Sequence, residues 1–151
     1  MHVHPVSYSL LAGLLWGAAG AATAACDFVV EVNDAMVFQV QEMVAEKSCA
    51  AINVTIKHSG QLPKQTMGHN WTLTKTADYQ PVAIEGMNAG LDNDYITPGD
   101  ARVIAHTKIV GAGESDSISF SPAALEAGGD YTFFCSFPGH WSVMRGKFVV
   151  N

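Results

Sequence analysis

Between residues 52 and 57 the chain alternates strictly: Ile52, Val54 and Ile56 are apolar, and Asn53, Thr55 and Lys57 are polar. A period of two describes a strand with one dry face and one wet face. The same short rhythm returns elsewhere. Phe28, Val30 and Val32 alternate with Val29 and Glu31, and Trp71 and Leu73 with Thr72 and Thr74. Residues 37–40, 102–106, 117–120, 131–134 and 147–150 are further β-prone runs, and Gly, Pro, Asn and Asp separate them. Many short strands divided by turn residues predict an all-β sandwich.

One segment departs from this rhythm. Residues 76–99 carry Pro81, Gly86, Gly90 and Pro98 with little alternation, and residues 77–84 suit a short helix. The reading is a helical flap outside the sandwich. Ser121 followed by Pro122 predicts one more helical turn, with Ser121 as cap and Pro122 at the first position. No repeat and no second domain is visible.

The 151 residues divide at residue 24. Residues 10–16 are apolar, small residues follow, and Ala22-Thr23-Ala24 has the A-x-A form of a signal-peptidase site. The apolar stretch is too short to span a bilayer permanently. The expectation is a signal peptide over 1–24 and one domain over 25–151. His2 and His4 stand where such leaders carry Lys or Arg. Thr23-Ala24-Ala25-Cys26 faintly resembles a lipoprotein site but lacks its aliphatic residue. The mature form is therefore expected without stable membrane insertion.

Charge narrows the partner class. Residues 1–24 contain no Lys, Arg, Asp or Glu, so the net charge of -6 belongs to residues 25–151. Nucleic acid demands clustered positive charge and is excluded. Export implies an oxidising compartment, where disulfides persist. Three cysteines leave one over. Cys26 and Cys49 flank the first two strand-like runs and are candidate partners, which leaves Cys135 as the free thiol. An exported free thiol invites oxidation unless a metal holds the sulfur.

Cys135 opens the run Cys-Ser-Phe-Pro-Gly-His-Trp-Ser-Val-Met over residues 135–144. Two His, one Cys and a distant axial Met define a blue-copper site. Cys135, His140 and Met144 supply three of these ligands, and His69 is the candidate for the second imidazole. Other uses of the same residues stay open at this level. Cys135 alone could be a buried structural thiol, and Met144 alone a core filler. A zinc site would use Cys and His but gain nothing from the thioether. A Cys–His nucleophile pair would need an orienting acid and an oxyanion element, and neither is evident nearby.

The residues also support a resemblance. Met-Gly-His-Asn-Trp at 67–71, Gly-Leu-Asp at 90–92, residues 102–108 and Phe-Phe-Cys-Ser-Phe-Pro-Gly-His at 133–140 occur in the order of the matching segments in azurins. The chain resembles these bacterial cupredoxins over essentially the whole of 25–151. The resemblance implies a Greek-key β-sandwich of about eight strands with a short helical flap. It implies one type 1 copper cycling between Cu(I) and Cu(II) in a periplasmic one-electron carrier. By motif, His69, Cys135 and His140 would be equatorial ligands, Met144 axial, and the Gly68 carbonyl a weak contact opposite. Asn70 and Phe137 would support the ligands from behind, and a Cys26–Cys49 bridge matches in position.

The resemblance further implies an apolar docking patch around His140, formed by Met36, Leu62, Met67, Met87, Phe137 and Gly139, with Trp141 at its rim. Transient periplasmic redox proteins, such as c-type cytochromes or copper reductases, are the implied partners. Trp141 stands where azurins usually carry a small residue, Ser142 adds polarity, and Thr66 replaces a frequent aliphatic. These departures bear on docking and solvent access rather than on the ligands. His58 is read as a structural or titrating imidazole near the site, His106 as exposed on a sheet face, and Trp71 as core. A copper with four ligands leaves no open position for substrate, so enzymatic activity is not expected. The competing function is copper storage without electron transfer.

Overall fold

The structure, a computed structural model, describes residues 25–151. The expected leader over 1–24 lies outside the described residues. Among the described residues eight strands form two sheets. They are β1 Asp27–Val32, β2 Glu42–Ala45, β3 Ile52–His58, β4 Thr72–Lys75, β5 Ala105–His106, β6 Ser115–Phe120, β7 Tyr131–Phe134 and β8 Arg145–Val150. One sheet has the order β1-β3-β6 and the other β2-β8-β7-β4-β5. The β1–β3 and β2–β8 pairs are parallel, and the others are antiparallel.

The alternation in β3 sends Ile52, Val54, Ile56 and His58 inward. Continued to the strand's end, this register buries a polar imidazole, which later matters at the site. Between the sheets Trp71 is fully enclosed, with ring centroids 6.0 Å from Phe120, 6.2 Å from Phe133 and 5.9 Å from Phe148. Burying a side chain of this kind contributes about 1.5–3 kcal/mol each. Cys26 and Cys49 are disulfide-bonded with Cα atoms 5.7 Å apart, and Ala25 bridges Ala45 beside them.

Among the described residues two short α-helices stand outside the sheets, α1 Lys64–Met67 and α2 Tyr79–Gly86. The expected flap is α2 followed by 3-10 turns at Met87–Ala89 and Leu91–Asn93. Pro81 lies in the first turn of α2, where its missing N–H costs nothing. Val82, Ala83 and Ile96 form a small separate core with Phe134 of β7, flanked by Tyr79, Val103 and Trp141. Arg102 ties the flap down, with Nη2 2.5 Å from Glu85 and 2.6 Å from Asp100. Ser121 caps the predicted turn, its hydroxyl accepting the Ala123 N–H at 3.2 Å.

Two runs differ from expectation. Residues 37–40 are irregular, with Phe38 buried and Val37 exposed, and the strand is Glu42–Ala45 instead. Its partner β8 lies about a hundred residues away in sequence, so local propensity could not place it. Of residues 102–106 only Ala105 and His106 join a ladder, because the preceding stretch is bent around the Arg102–Asp100 contact.

Candidate metal centre

Two elements bring the metal-binding side chains together. His69 lies just before β4 and is held by a two-way bridge to Val110, with its N–H donating to the Val110 carbonyl at 3.0 Å and its carbonyl accepting at 2.9 Å. Cys135 follows β7 directly. The chain from Cys135 to Met144 then winds back. The His140 N–H donates to the Phe137 carbonyl at 3.0 Å, and the Met144 N–H to the His140 carbonyl at 2.8 Å. Gly139 carries a φ of 83°, a left-handed backbone that makes glycine the favoured residue in the turn before His140. The Cys135 N–H closes the loop onto the Met144 carbonyl at 3.0 Å.

The outcome is a buried triangle of donor atoms. Cys135 Sγ is 3.7 Å from His69 Nδ1 and 3.6 Å from His140 Nδ1, and the two nitrogens are 3.2 Å apart. All three residues are buried. An ion about 2.0 Å from nitrogen and about 2.3 Å from sulfur, with donors about 120° apart, needs edges of about 3.5 and about 3.7 Å. The triangle fits a single ion in a trigonal set. Met144 is fully buried in the same apolar cluster as Cys135, and the Gly68 carbonyl is 4.0 Å from the sulfur.

The surroundings prepare these donors. His69 Nε2 lies 2.8 Å from the Asn33 carbonyl. A carbonyl only accepts, so Nε2 carries the proton and Nδ1 turns a lone pair to the triangle. Burial pushes the pKa of His69 and of His140 down to about 4, so both imidazoles are neutral at pH 7. Burial pushes the Cys135 thiol up to about 12, opposed by the backbone N–H groups of Asn70 and Phe137. A metal that binds thiolate must therefore displace this proton.

Asn70 joins the two halves of the site. Its Oδ1 accepts the Ser136 N–H and its Nδ2 donates to the Ser136 hydroxyl, both at 2.8 Å. That hydroxyl donates to the Asp94 carbonyl at 2.6 Å, which links the ligand loop to the flap. On the other side His58 stacks on His69, with centroids 5.2 Å apart and planes at 14°. Its Nε2–H donates to the Met67 carbonyl at 3.0 Å and its Nδ1 accepts the Gly60 N–H at 3.1 Å. Phe137 covers His140 at 4.6 Å between ring centroids.

The remaining residues named from sequence are distributed as follows. Met36, Leu62, Met87 and Gly139 are exposed, and Met67 and Phe137 are half-buried. Trp141 is half-buried against the flap, 6.2 Å from Tyr79 and edge-on. His106 is half-buried on β5, and Trp71 is core. The Asn33 carbonyl, Ser136 and Asp94 were not singled out from sequence. A backbone carbonyl carries no side-chain signal, but Ser136 sits beside Cys135 and could have been flagged as its neighbour.

Comparison with known proteins agrees with this geometry. The profile of the copper-binding proteins of the plastocyanin/azurin family matches residues 24–151. An azurin from Achromobacter denitrificans is 55% identical over 128 residues, covering 85% of this chain and 86% of that protein. An azurin from Pseudomonas chlororaphis is 53% identical over 128 residues, covering 85% of this chain and all of that protein. A solved azurin, Az-iso2 from Methylomonas sp. strain J, superposes with a TM-score of 0.81 at 46% identity, covering 85% of this chain and 99% of that one. The chain belongs to the plastocyanin/azurin family of copper-binding proteins, and copper is its cofactor.

Proposed function

We propose that this protein is a periplasmic one-electron carrier and not an enzyme. The observation that supports this best is the buried triangle of His69 Nδ1, Cys135 Sγ and His140 Nδ1, with two nitrogens and one sulfur at single-ion spacing. Copper, when bound, supplies the Cu(I)/Cu(II) couple. In this reading His69, Cys135 and His140 would hold the copper, and the Met144 thioether and the Gly68 carbonyl would be its weak additional donors. Two imidazoles and a thiolate with weak axial donors suit both oxidation states without large rearrangement.

The chain's own residues keep that set rigid. Asn33 fixes the tautomer of His69, Asn70 clamps Ser136 beside Cys135, and Phe137 shields His140 from water. The exposed side chains of Met36, Leu62 and Met87, with Met67, Phe137, Gly139 and Trp141, form the docking patch. A modest apolar surface suits transient contact with redox proteins such as c-type cytochromes or copper reductases. Residues 1–24 direct export, and residues 25–151 are the exported domain. Among the described residues no helix is long and apolar enough to cross a membrane.

Voltammetry of the copper-loaded protein tests this reading. It predicts one reversible one-electron wave and rapid oxidation and reduction by a small c-type cytochrome. A colourless Cu(I) complex that releases metal to chelators, with no reversible wave, would instead mark a storage protein.

A further inference from the structure

Asp94 and Tyr95 are consecutive non-glycine residues with left-handed backbone, at φ 54° and 51°. Asp tolerates this conformation, but a bulky aromatic seldom adopts it. Such backbone persists only where its surroundings over-determine it. Here they do. Asp94 Oδ1 accepts the Ile109 N–H at 2.7 Å, and the Asp94 carbonyl accepts the Ser136 hydroxyl at 2.6 Å. The Tyr95 N–H donates to the Gly90 carbonyl at 2.9 Å. The Tyr95 carbonyl fills the space that a Cβ on Gly86 would take, so α2 must end in glycine for the corner to close.

The corner sets the Tyr95 ring edge-on against Phe137, with centroids 5.3 Å apart and planes at 73°. Phe137 in turn lies on the His140 imidazole at 4.6 Å and 31°. Three rings thus run from the flap to the ligand loop. Tyr95 belongs to neither apolar cluster of the domain, so its ring is not needed to fill a core. His140 also differs from His69. Among the described residues no carbonyl orients its outer nitrogen, whereas His69 has Asn33. Ring contact takes the place of that hydrogen bond.

We propose that Tyr95 is a positioning residue for His140, acting through Phe137 from the strained corner of the flap. The proposal rests on the reading of His140 as a copper ligand. An imidazole released from this contact tilts more freely, and a freer site favours the tetragonal arrangement that Cu(II) prefers. Loss of the Tyr95 ring should therefore lower the reduction potential.

The test compares Tyr95→Phe, Tyr95→Ala and Tyr95→Leu in the domain of residues 25–151. NMR of the metal-free proteins reads the ring resonances of His140, with His58 as internal reference. Voltammetry of the copper-loaded proteins reads the potential. Tyr95→Phe should match wild type in both. Tyr95→Ala should move the His140 resonances, leave those of His58 in place, and shift the one-electron equilibrium toward Cu(II) at least about threefold, or about 28 mV. Tyr95→Leu keeps the bulk should alanine impair folding, and it should shift both readouts in the same direction. Wild-type resonances and potential in the alanine or leucine variant would overturn the proposal, as would equal shifts at His58 and His140. A wild-type protein without a thiolate–copper band would defeat the copper reading, while the metal-free NMR would still judge Tyr95.

Discussion

Replacing Asn70 by Ala should destabilise the metal-free domain by about 2–4 kcal/mol. The side chain is fully buried and makes two hydrogen bonds, both to Ser136. After truncation the Ser136 hydroxyl keeps its partner at the Asp94 carbonyl, so it is not stranded. The Ser136 N–H is stranded in a residue with no exposed surface. An orphaned buried donor costs about 1–3 kcal/mol, and the lost packing adds about 1 kcal/mol. In a domain of this size that lowers Tm by about 8–16 °C, at about 4 °C per kcal/mol. Urea unfolding of the metal-free variant, followed by tryptophan fluorescence, gives the number. Ser117→Ala is the control, since it removes a hydrogen bond of similar length, 2.8 Å to Thr55, at an exposed position. It should stay within about 0.5 kcal/mol of wild type. An Asn70→Ala variant equally close to wild type would refute the reasoning, because the stranded N–H would then carry no cost.

Three further outcomes are expected. Paired Cys26→Ser and Cys49→Ser substitutions should lower stability by about 3 kcal/mol, the chain-entropy value for a sequence separation of 23, and an unchanged urea midpoint would contradict this. In the metal-free protein the folded pKa of His69 and of His140 lies at about 4, below the unfolded value of about 6.5. Between these values the unfolded chain binds more protons, so stability is full above about pH 6.5 and is lost as pH falls through about 4. The urea midpoint should therefore drop between pH 7.5 and 4.5, and equal midpoints would count against buried neutral imidazoles. Trp141→Ala removes the edge-on contact with Tyr79 and should cost about 1–2 kcal/mol, read by thermal unfolding. Unchanged stability would contradict the packing role and leave docking as the whole contribution of Trp141.

Strands with their own rhythm were legible in sequence. Residues 52–57 alternate strictly enough to declare a buried face before any partner is known, and residues 147–150 show as a β-prone run within what is the longer strand Arg145–Val150. Strand β2 was not, because Glu42–Ala45 pairs with Lys147–Val150 across most of the chain. Helix α1 also left no trace, since four residues after Pro63 offer no apolar period. At the site, thiol, imidazole and thioether were visible because copper chemistry restricts residue type. The support behind them was less so. Asn33 contributes a carbonyl that any residue could offer, and the left-handed corner at Asp94 and Tyr95 contains no glycine to announce it. The half-buried contact of Trp141 with Tyr79 of the flap likewise had no local signal, because the two residues lie far apart in sequence.

The central claim is that Cys135 binds Cu(II) as a thiolate between two imidazoles. Titration of the metal-free protein with Cu(II), followed by visible absorption, tests it most directly. The account predicts an intense thiolate-to-copper band in the orange-red that saturates at one copper per chain and is absent in Cys135→Ser, whose hydroxyl cannot replace the soft sulfur. A Cys135→Ser protein that remained intensely blue, or a wild-type protein that bound copper without the band, would contradict it.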